Sequence, residues 1–231
     1  QQGFSYTPPT GYKALCSNNL PVPSIKLPNK HFDTVLYTGT GSSQNITGLE
    51  FQPDLFWAKV RNQAYHHTIM DSVRGTNKQI WSNRTNAEQT DTSFLTSFNS
   101  DGVTLGDNSS GSGATNTNGD TYVAWNWNAG GSTVTNNDGS VSAQVRASTT
   151  AGISIISWTG TGSNLTIGHG LGVAPKVYIV KARTGSSGCD WFVYHKDIAA
   201  THNLRLNNNS ASGAASDLFN NTEPTSSIFS I

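Results

Sequence analysis

The sequence predicts an all-β protein made of tandem β-sandwich units, jelly-roll or lectin-like, behind an extended N-terminal connector. Short runs of β-branched and aromatic residues are punctuated by Gly and Asn turns, the pattern of many short strands. No window of about 11 residues keeps an apolar stripe at helical spacing. One phrase is also written twice: Tyr37–Ser42 reads YTGTGS and Trp158–Ser163 reads WTGTGS.

The elements follow in order. Residues 1–31 hold five of the eight prolines, in YTPPTGY and NLPVPSIKLP, and proline denies the backbone both helix and central strand. They are read as the connector. Thr34–Thr38 opens a first unit, 32–131, as a β-branched and aromatic strand. Leu55–Ala58 and Val177–Val180 are near-continuous apolar runs, expected where both faces of a strand are covered. Tyr122–Trp127 alternates, with Val123, Trp125 and Trp127 on one face and Tyr122, Ala124 and Asn126 on the other. Asp101-Gly102, Asn118-Gly119 and Asp138-Gly139 supply turns, since these residues tolerate positive φ. Residues 132–151 are read as a linker or hairpin, and 152–231 as a second unit, truncated at its C-terminal end.

The repeat extends well beyond the phrase. Pro53 matches Pro175, Phe56 matches Tyr178, Lys59 matches Lys181 and Arg61 matches Arg183, all at one offset. HTIMDSVRG matches WFVYHKDIA, and FNSDGVTL matches TSSIFSI. One structural unit is thus expected twice, with Ile231 the counterpart of Leu105 and no second copy of Tyr122–Trp127. Either the chain continues or another chain supplies the missing strand, and the first is the expectation.

Composition narrows the function. The 14 basic and 14 acidic side chains cancel, and only 12% of residues are charged, against about 25% in an average domain. A nucleic-acid binder needs a dense basic face to release counterions, and adhesion to anionic membranes needs a polybasic patch; neither is written here. No apolar run reaches the ~20 residues that span a bilayer, and no charged-then-apolar signal opens the chain. Cys16 and Cys189 share no metal-type spacing and are expected to be free thiols.

Candidate site residues are few. Asp71 and Arg74, in DSVRG, place a carboxylate and a guanidinium together, a pairing that can clamp a sugar's vicinal hydroxyls, or simply pin a loop. The second unit carries His195 and Ile198 there, so the fold of both copies does not require the pair. Trp57, Trp125 and Trp127 sit in strand patterns and read as core or partly core. Trp81 in QIWSNR and Trp191 in CDWFVYH are the better candidates for exposed stacking platforms. His66 and His67 point to opposite faces of a strand, and no His-x-His or Cys-x-x-Cys pattern suggests zinc. Cys189 lies beside Asp190 without an activating cation. Asp54, Asp71, Asp101, Asp107, Asp120 and Asp190 are acids available for glycosidic cleavage, but most stand in turns. Gly106–Asp120 is rich in Asn, Asp and Gly yet lacks the spaced acids of a calcium loop, and reads as a flexible, exposed hairpin tip. No cofactor is expected.

FQPDLFWAKVRN, DSVRGTNKQIWSN, TSFNSDGVTLG, TYVAWNWNAGG and TTAGISIISWTGTGSNLTIGHGLGVAPKVYIVKAR together resemble a repeated domain of uncharacterised function. It occurs in virion proteins of tailed bacteriophages, particularly marine and cyanobacterial ones, often after a lectin-like sandwich domain in tail-fibre proteins. The resemblance covers nearly the whole chain and carries over no catalytic residue. It implies a virion structural protein, part of a tail fibre or adhesin that displays loops toward host-surface polysaccharide. The alternative it leaves is a non-binding element such as a capsid decoration, collar or fibre-lengthening repeat; a polysaccharide-degrading spike is a third class. The implied partners are host polysaccharide, other virion proteins and copies of itself, a trimer by analogy.

Overall fold

The structure is a computed structural model that describes residues 9–12, 20, 22–109, 115–185 and 188–231. It is all-β, with a 3-10 turn at Pro28–Lys30. The first half carries β1 (Phe32–Thr38), β2 (Gln44–Ile46), β3 (Leu55–Val60), β4 (Thr68–Asp71), β5 (Lys78–Trp81), β6 (Gln89–Thr90), β7 (Leu95–Asn99), β8 (Gly102–Leu105) and β9 (Thr121–Trp127). Strands β1-β9-β3-β4-β5-β6 form one sheet and β2-β8-β7 another. β9 lies between β1 and β3, antiparallel to both.

These two sheets pack face to face. Phe56, Ala58, Met70 and Ala124 of the larger sheet meet Ile46, Leu95, Val103 and Leu105 of the smaller, with Phe94 beside them. The period-two pattern of β9 is realised: Tyr122, Ala124 and Asn126 are buried, while Val123, Trp125 and Trp127 are half-buried on the outer face. There Trp57 meets Trp125 and Trp127 at centroid distances of 6.1 and 6.3 Å.

The Gly106–Asp120 segment departs from its sequence reading. Residues 110–114 lie outside the described set, but Thr115 and Asn116 are buried. The Asn116 amide donates to the carbonyls of Ser42 and Gly106, and its oxygen accepts from Thr40 N and Gln44 Nε2. This flank of the segment plugs the fold because an amide offers both donors and an acceptor to its neighbours. The first YTGTGS phrase explains the fit. Gly39 N donates to Asp120 O, Gly41 N donates to Asn116 O, and a Cβ on Gly39 would lie 2.2 Å from Thr117 O.

The second half carries β10 (Val134–Asn136), β11 (Ala143–Ser148), β12 (Ile153–Trp158), β13 (Thr166–Gly168), β14 (Val177–Val180), β15 (Phe192–His195), β16 (His202–Arg205), β17 (Gly213–Ala214) and β18 (Ile228–Ser230). The sheets are β10-β11-β12, β13-β18 and β14-β15-β16-β17. Residues 132–151 are more than a linker: Ala143 and Val145 of β11 are buried with Leu165, Ile167 and Phe229 in one core.

β14 corrects the reading of its apolar run. Val177 and Ile179 are 48% and 45% exposed, so one face is open. Among the described pairings, β12 bonds only to β11 and β14 only to β15, and each therefore keeps an unpaired edge.

Candidate functional site

The four residues singled out in the sequence converge on the joint between the two halves. Asp71 ends β4, and the turn that follows closes on its carboxylate: Oδ1 accepts the backbone N–H of Val73 and Arg74 at 3.1 and 2.8 Å, and Oδ2 accepts Arg74 Nε at 2.5 Å. Arg74 also donates to Ile69 O at 3.0 Å and Glu88 Oε2 at 3.1 Å. Both members of the pair are buried. All three guanidinium nitrogens are thus bonded inside the protein, the arrangement of a pair that pins a loop.

Glu88 then crosses to the second half. Its Oε2 and Oε1 accept Arg183 Nε and Nη2 at 3.1 and 3.3 Å, while its backbone N–H donates to Arg183 O at 2.9 Å. Arg183 Nη1 reaches Ser157 Oγ on β12, and Lys181 Nζ donates to Thr85 O at 3.1 Å. Burial pushes the Glu88 carboxyl up, but the hydrogen bonds and charges of Arg183 and Arg74 outweigh it and hold it below its usual range. A second bridge joins Arg146 of β11 to Asp54 at 3.0 Å. Asp54 also accepts from Ser72 Oγ and Ala129 N. Its burial prevails over Arg146 and these bonds, and the carboxyl is raised.

Neither tryptophan is an exposed platform. Trp81 and Trp191 are 3% and 5% exposed. Trp191 precedes β15 and inserts against Ile69 and Ile80 of the first half, where its indole N–H is shared between Trp81 O at 2.9 Å and Arg84 O at 3.0 Å. Trp81 packs beside His66, with the Arg84 guanidinium 5.6 Å from its ring. Of the polar neighbours, Asn83 Oδ1 accepts His67 N–H at 3.0 Å, and Asp190 Oδ1 accepts Asn207 Nδ2 at 2.8 Å.

Beside the joint lies a cavity of about 660 Å³. Its first-half wall is Leu55, Trp57, Ile69, Ile80, Asp71 and Arg74; Trp191, all but one residue of β12, most of β14, Phe229, Lys176, Lys181 and Arg183 are among the others. The lining is largely apolar; Asp71, Arg74 and Arg183 are ion-paired there, while Lys181 donates to the carbonyls of Thr85 and Ala182, and Lys176 also lines the cavity. Asp71 and Glu88 share one guanidinium rather than facing each other across a groove. Among the described residues, no group of three or more His, Cys, Asp or Glu is placed to hold a metal. No helix is long and apolar enough to cross a membrane. Cys189 is a free, exposed thiol, and Cys16 lies outside the described residues.

Sequence reasoning missed Glu88, Arg146 and the joint itself. Arg183 was visible only as the repeat partner of Arg61; Glu88, in NAEQT, carried no local signal.

With this geometry in place, comparison with known families is direct. Residues 27–231 match DUF7483, a domain of unknown function. The chain belongs to the DUF7483 family. Neither the curated proteins nor the solved structures contain a match. The DUF7483 match takes in both halves and the whole joint, so Glu88, Arg183 and Trp191 are all internal to the family's domain.

Proposed function

We propose that this DUF7483 chain is a structural element of a bacteriophage virion, built from two copies of one sandwich unit held rigidly against each other. What supports it most is the burial of Asp71, Arg74, Trp81 and Trp191 in the joint. Trp191 fastens one half to the other through Trp81 O, and Asp71 and Arg74 close a turn of the first half beside it. The two-copy reading rests on the strand pairings. β14-β15-β16-β17 runs in the order of β3-β4-β5-β6, and β13 pairs β18 as β2 pairs β8.

Adhesion to host polysaccharide is the second reading, favoured by a polar groove of about 550 Å³ beside the Gly106 turn. Ser42, Ser43, Thr92, Thr96, Asp107 and Ser109 are among the residues that line it, and hydroxyl and carboxylate groups of this kind hydrogen-bond sugar hydroxyls.

Two measurements test the proposal. An antiserum against the purified chain should label phage particles whose genome encodes it. The chain itself should show no saturable binding to host cells or their extracted polysaccharides. Unlabelled particles would end the virion assignment; saturable binding weakened by Ser43→Arg would make the chain an adhesin.

A further inference from the structure

We propose that His66 and Arg84, with Asn83 holding the imidazole in place, form a binding site for one dianionic oxyanion group, a sulfate or a phosphate. None of the three lines the cavity at the joint. The site goes beyond the structural reading of the preceding section and does not depend on it.

It begins with a mismatch of hydrogen-bonding groups. Nδ1 of His66 faces the Asn83 amide nitrogen at 3.2 Å, and Nε2 faces Arg84 Nη1 at 2.8 Å. Both neighbours are donors. The Asn83 amide cannot turn round without loss, because its oxygen accepts His67 N–H at 3.0 Å. A neutral imidazole has one N–H and one acceptor nitrogen, and a protonated one has an N–H at both. Whichever nitrogen holds the proton, an N–H of His66 therefore points at another donor. The Trp81 indole N–H, on the ring that His66 and Arg84 both flank, is likewise buried without a partner. Donors outnumber acceptors here, and an unmade hydrogen bond costs free energy.

No acid of the chain supplies the missing acceptor. Lys59, on β3, donates its ammonium to Val60 O and Gln63 O. Among the described residues, neither Lys59 nor Arg84 takes part in an ion pair. The carboxylate that meets this loop, Asp120, accepts Asn62 Nδ2 at 3.1 Å. Burial first, then the charges of Arg84 and Lys59, hold the His66 pKa below its ordinary value, while burial, Lys59 and His66 lower His67. The ring is thus neutral near pH 8 and has cations around it. Two of them, Arg84 and Lys59, match the two charges of a sulfate or phosphate group.

The groups stand on fixed backbone. Ser82 N–H donates to His67 O at 2.9 Å, Arg84 N–H donates to Trp81 O at 3.2 Å, and Arg84 O accepts the Trp191 indole N–H at 3.0 Å. The His66 ring and the Arg84 guanidinium lie 5.8 and 5.6 Å from the Trp81 ring. Arg84 and residues 61–65 are exposed, so an anion reaches the site without the fold opening.

A bound oxyanion removes the mismatch. With the proton on Nε2, Nδ1 accepts from Asn83, while the Nε2 N–H and the Arg84 guanidinium donate to oxygens of the anion. The bond to Arg84 is charge-assisted and correspondingly strong. Without the anion, the shorter contact from the charged guanidinium makes Nε2 the acceptor and leaves the proton on Nδ1. Binding therefore moves the proton from one ring nitrogen to the other. Asn83 is a positioning residue in this scheme, since it holds the ring in the tautomer that donates outward.

The test is a sulfate titration of the purified chain at pH 8, with ionic strength held constant by chloride and the His66 ring nitrogens followed by NMR. A saturable change from the Nδ1–H to the Nε2–H tautomer is expected. Arg84→Gln should weaken binding about tenfold or more. Its melting temperature should stay that of the parent, because Arg84 is exposed. No saturable change, the same change with chloride alone, or an undiminished change in Arg84→Gln would each overturn the site. Sulfated and unsulfated dextran separate the sources of the group. Tighter binding of sulfated dextran than of free sulfate assigns the site to a sulfate carried on a polymer, and equal binding assigns it to the free ion. An equal response to unsulfated dextran would overturn the site. These outcomes are read on the isolated chain, and labelling of particles can fail or succeed without them.

Discussion

The indole N–H of Trp191 is bonded to the carbonyl oxygen of Trp81 at 2.9 Å, across 110 positions of sequence. That one bond ties the strand entering the second half's four-stranded sheet to the edge of the first half's core. Trp191→Ala removes the bond, leaves the Trp81 and Arg84 carbonyls without this donor, and opens a void against Ile69 and Ile80. A loss of about 3–5 kcal/mol is expected by chemical denaturation. A change under about 1 kcal/mol would mean that the halves do not depend on this insertion.

Arg74 and Arg183 share the Glu88 carboxylate. Glu88→Ala strands the buried Arg74 guanidinium with Asp71 alone and should cost about 3 kcal/mol. Arg183→Ala should cost less, because its side chain is 31% exposed and solvent screens the lost pair.

The same carboxylate sets an acid limb. Its folded-state pKa lies below its ordinary value of 4.5, so its stabilisation is complete above that pH and fades as pH falls through the folded value. Asp54 acts in the opposite sense, since burial raises it and its ionised form is disfavoured in the fold. Urea denaturation from pH 6 to pH 3 should therefore show a shallower decline in Glu88→Gln than in the parent. An unchanged slope would remove Glu88 from the acid response.

His169 gives a separate limb nearer neutrality. It is buried; Nδ1 accepts Leu171 N–H at 3.1 Å and Nε2 faces Thr225 O at 3.2 Å, which suits the neutral ring. Burial lowers its pKa. The unfolded chain takes up a proton near pH 6.5 while the folded chain resists it, so stability is complete above that pH and falls below it. NMR titration of the His169 ring should find its midpoint below the ordinary histidine value of 6.5, and a midpoint at or above that value would contradict this.

Gly39 and Gly160 offer a matched pair. Gly39→Ala drives a methyl group into Thr117 O and should destabilise by about 2 kcal/mol or more. Gly160→Ala meets open space and should stay within about 0.5 kcal/mol of the parent. Equal costs would show that both phrases are packed.

Much of the architecture was legible in the residues because strand periodicity is local. Tyr122–Trp127 announced its two faces, and the many short β-branched and aromatic runs announced an all-β chain. Exposure was harder. The apolar run Val177–Val180 records what a strand is suited to bury, which differs from what covers it, and half of its side chains remain open. Trp81 and Trp191 were misjudged because their polar neighbours looked like surface. Thr115 and Asn116 looked like a tip because amides and hydroxyls favour turns, yet the same groups satisfy buried backbone. The bond between Glu88 and Arg183 spans 95 positions and leaves no trace at either end.

The joint also governs how other molecules meet this chain. Of its 28 charged side chains, Asp54, Glu88, Arg146 and Arg183 pair across the halves, and Asp71 and Arg74 are paired beside them within the first. Serine, threonine and asparagine dominate what remains outside, and the net charge is zero. Such an exterior casts little long-range field, so an approaching partner is neither steered nor repelled. Its encounters should run at the unsteered rate of about 10⁵–10⁶ M⁻¹ s⁻¹ and hold that rate from dilute buffer to the ionic strength of seawater.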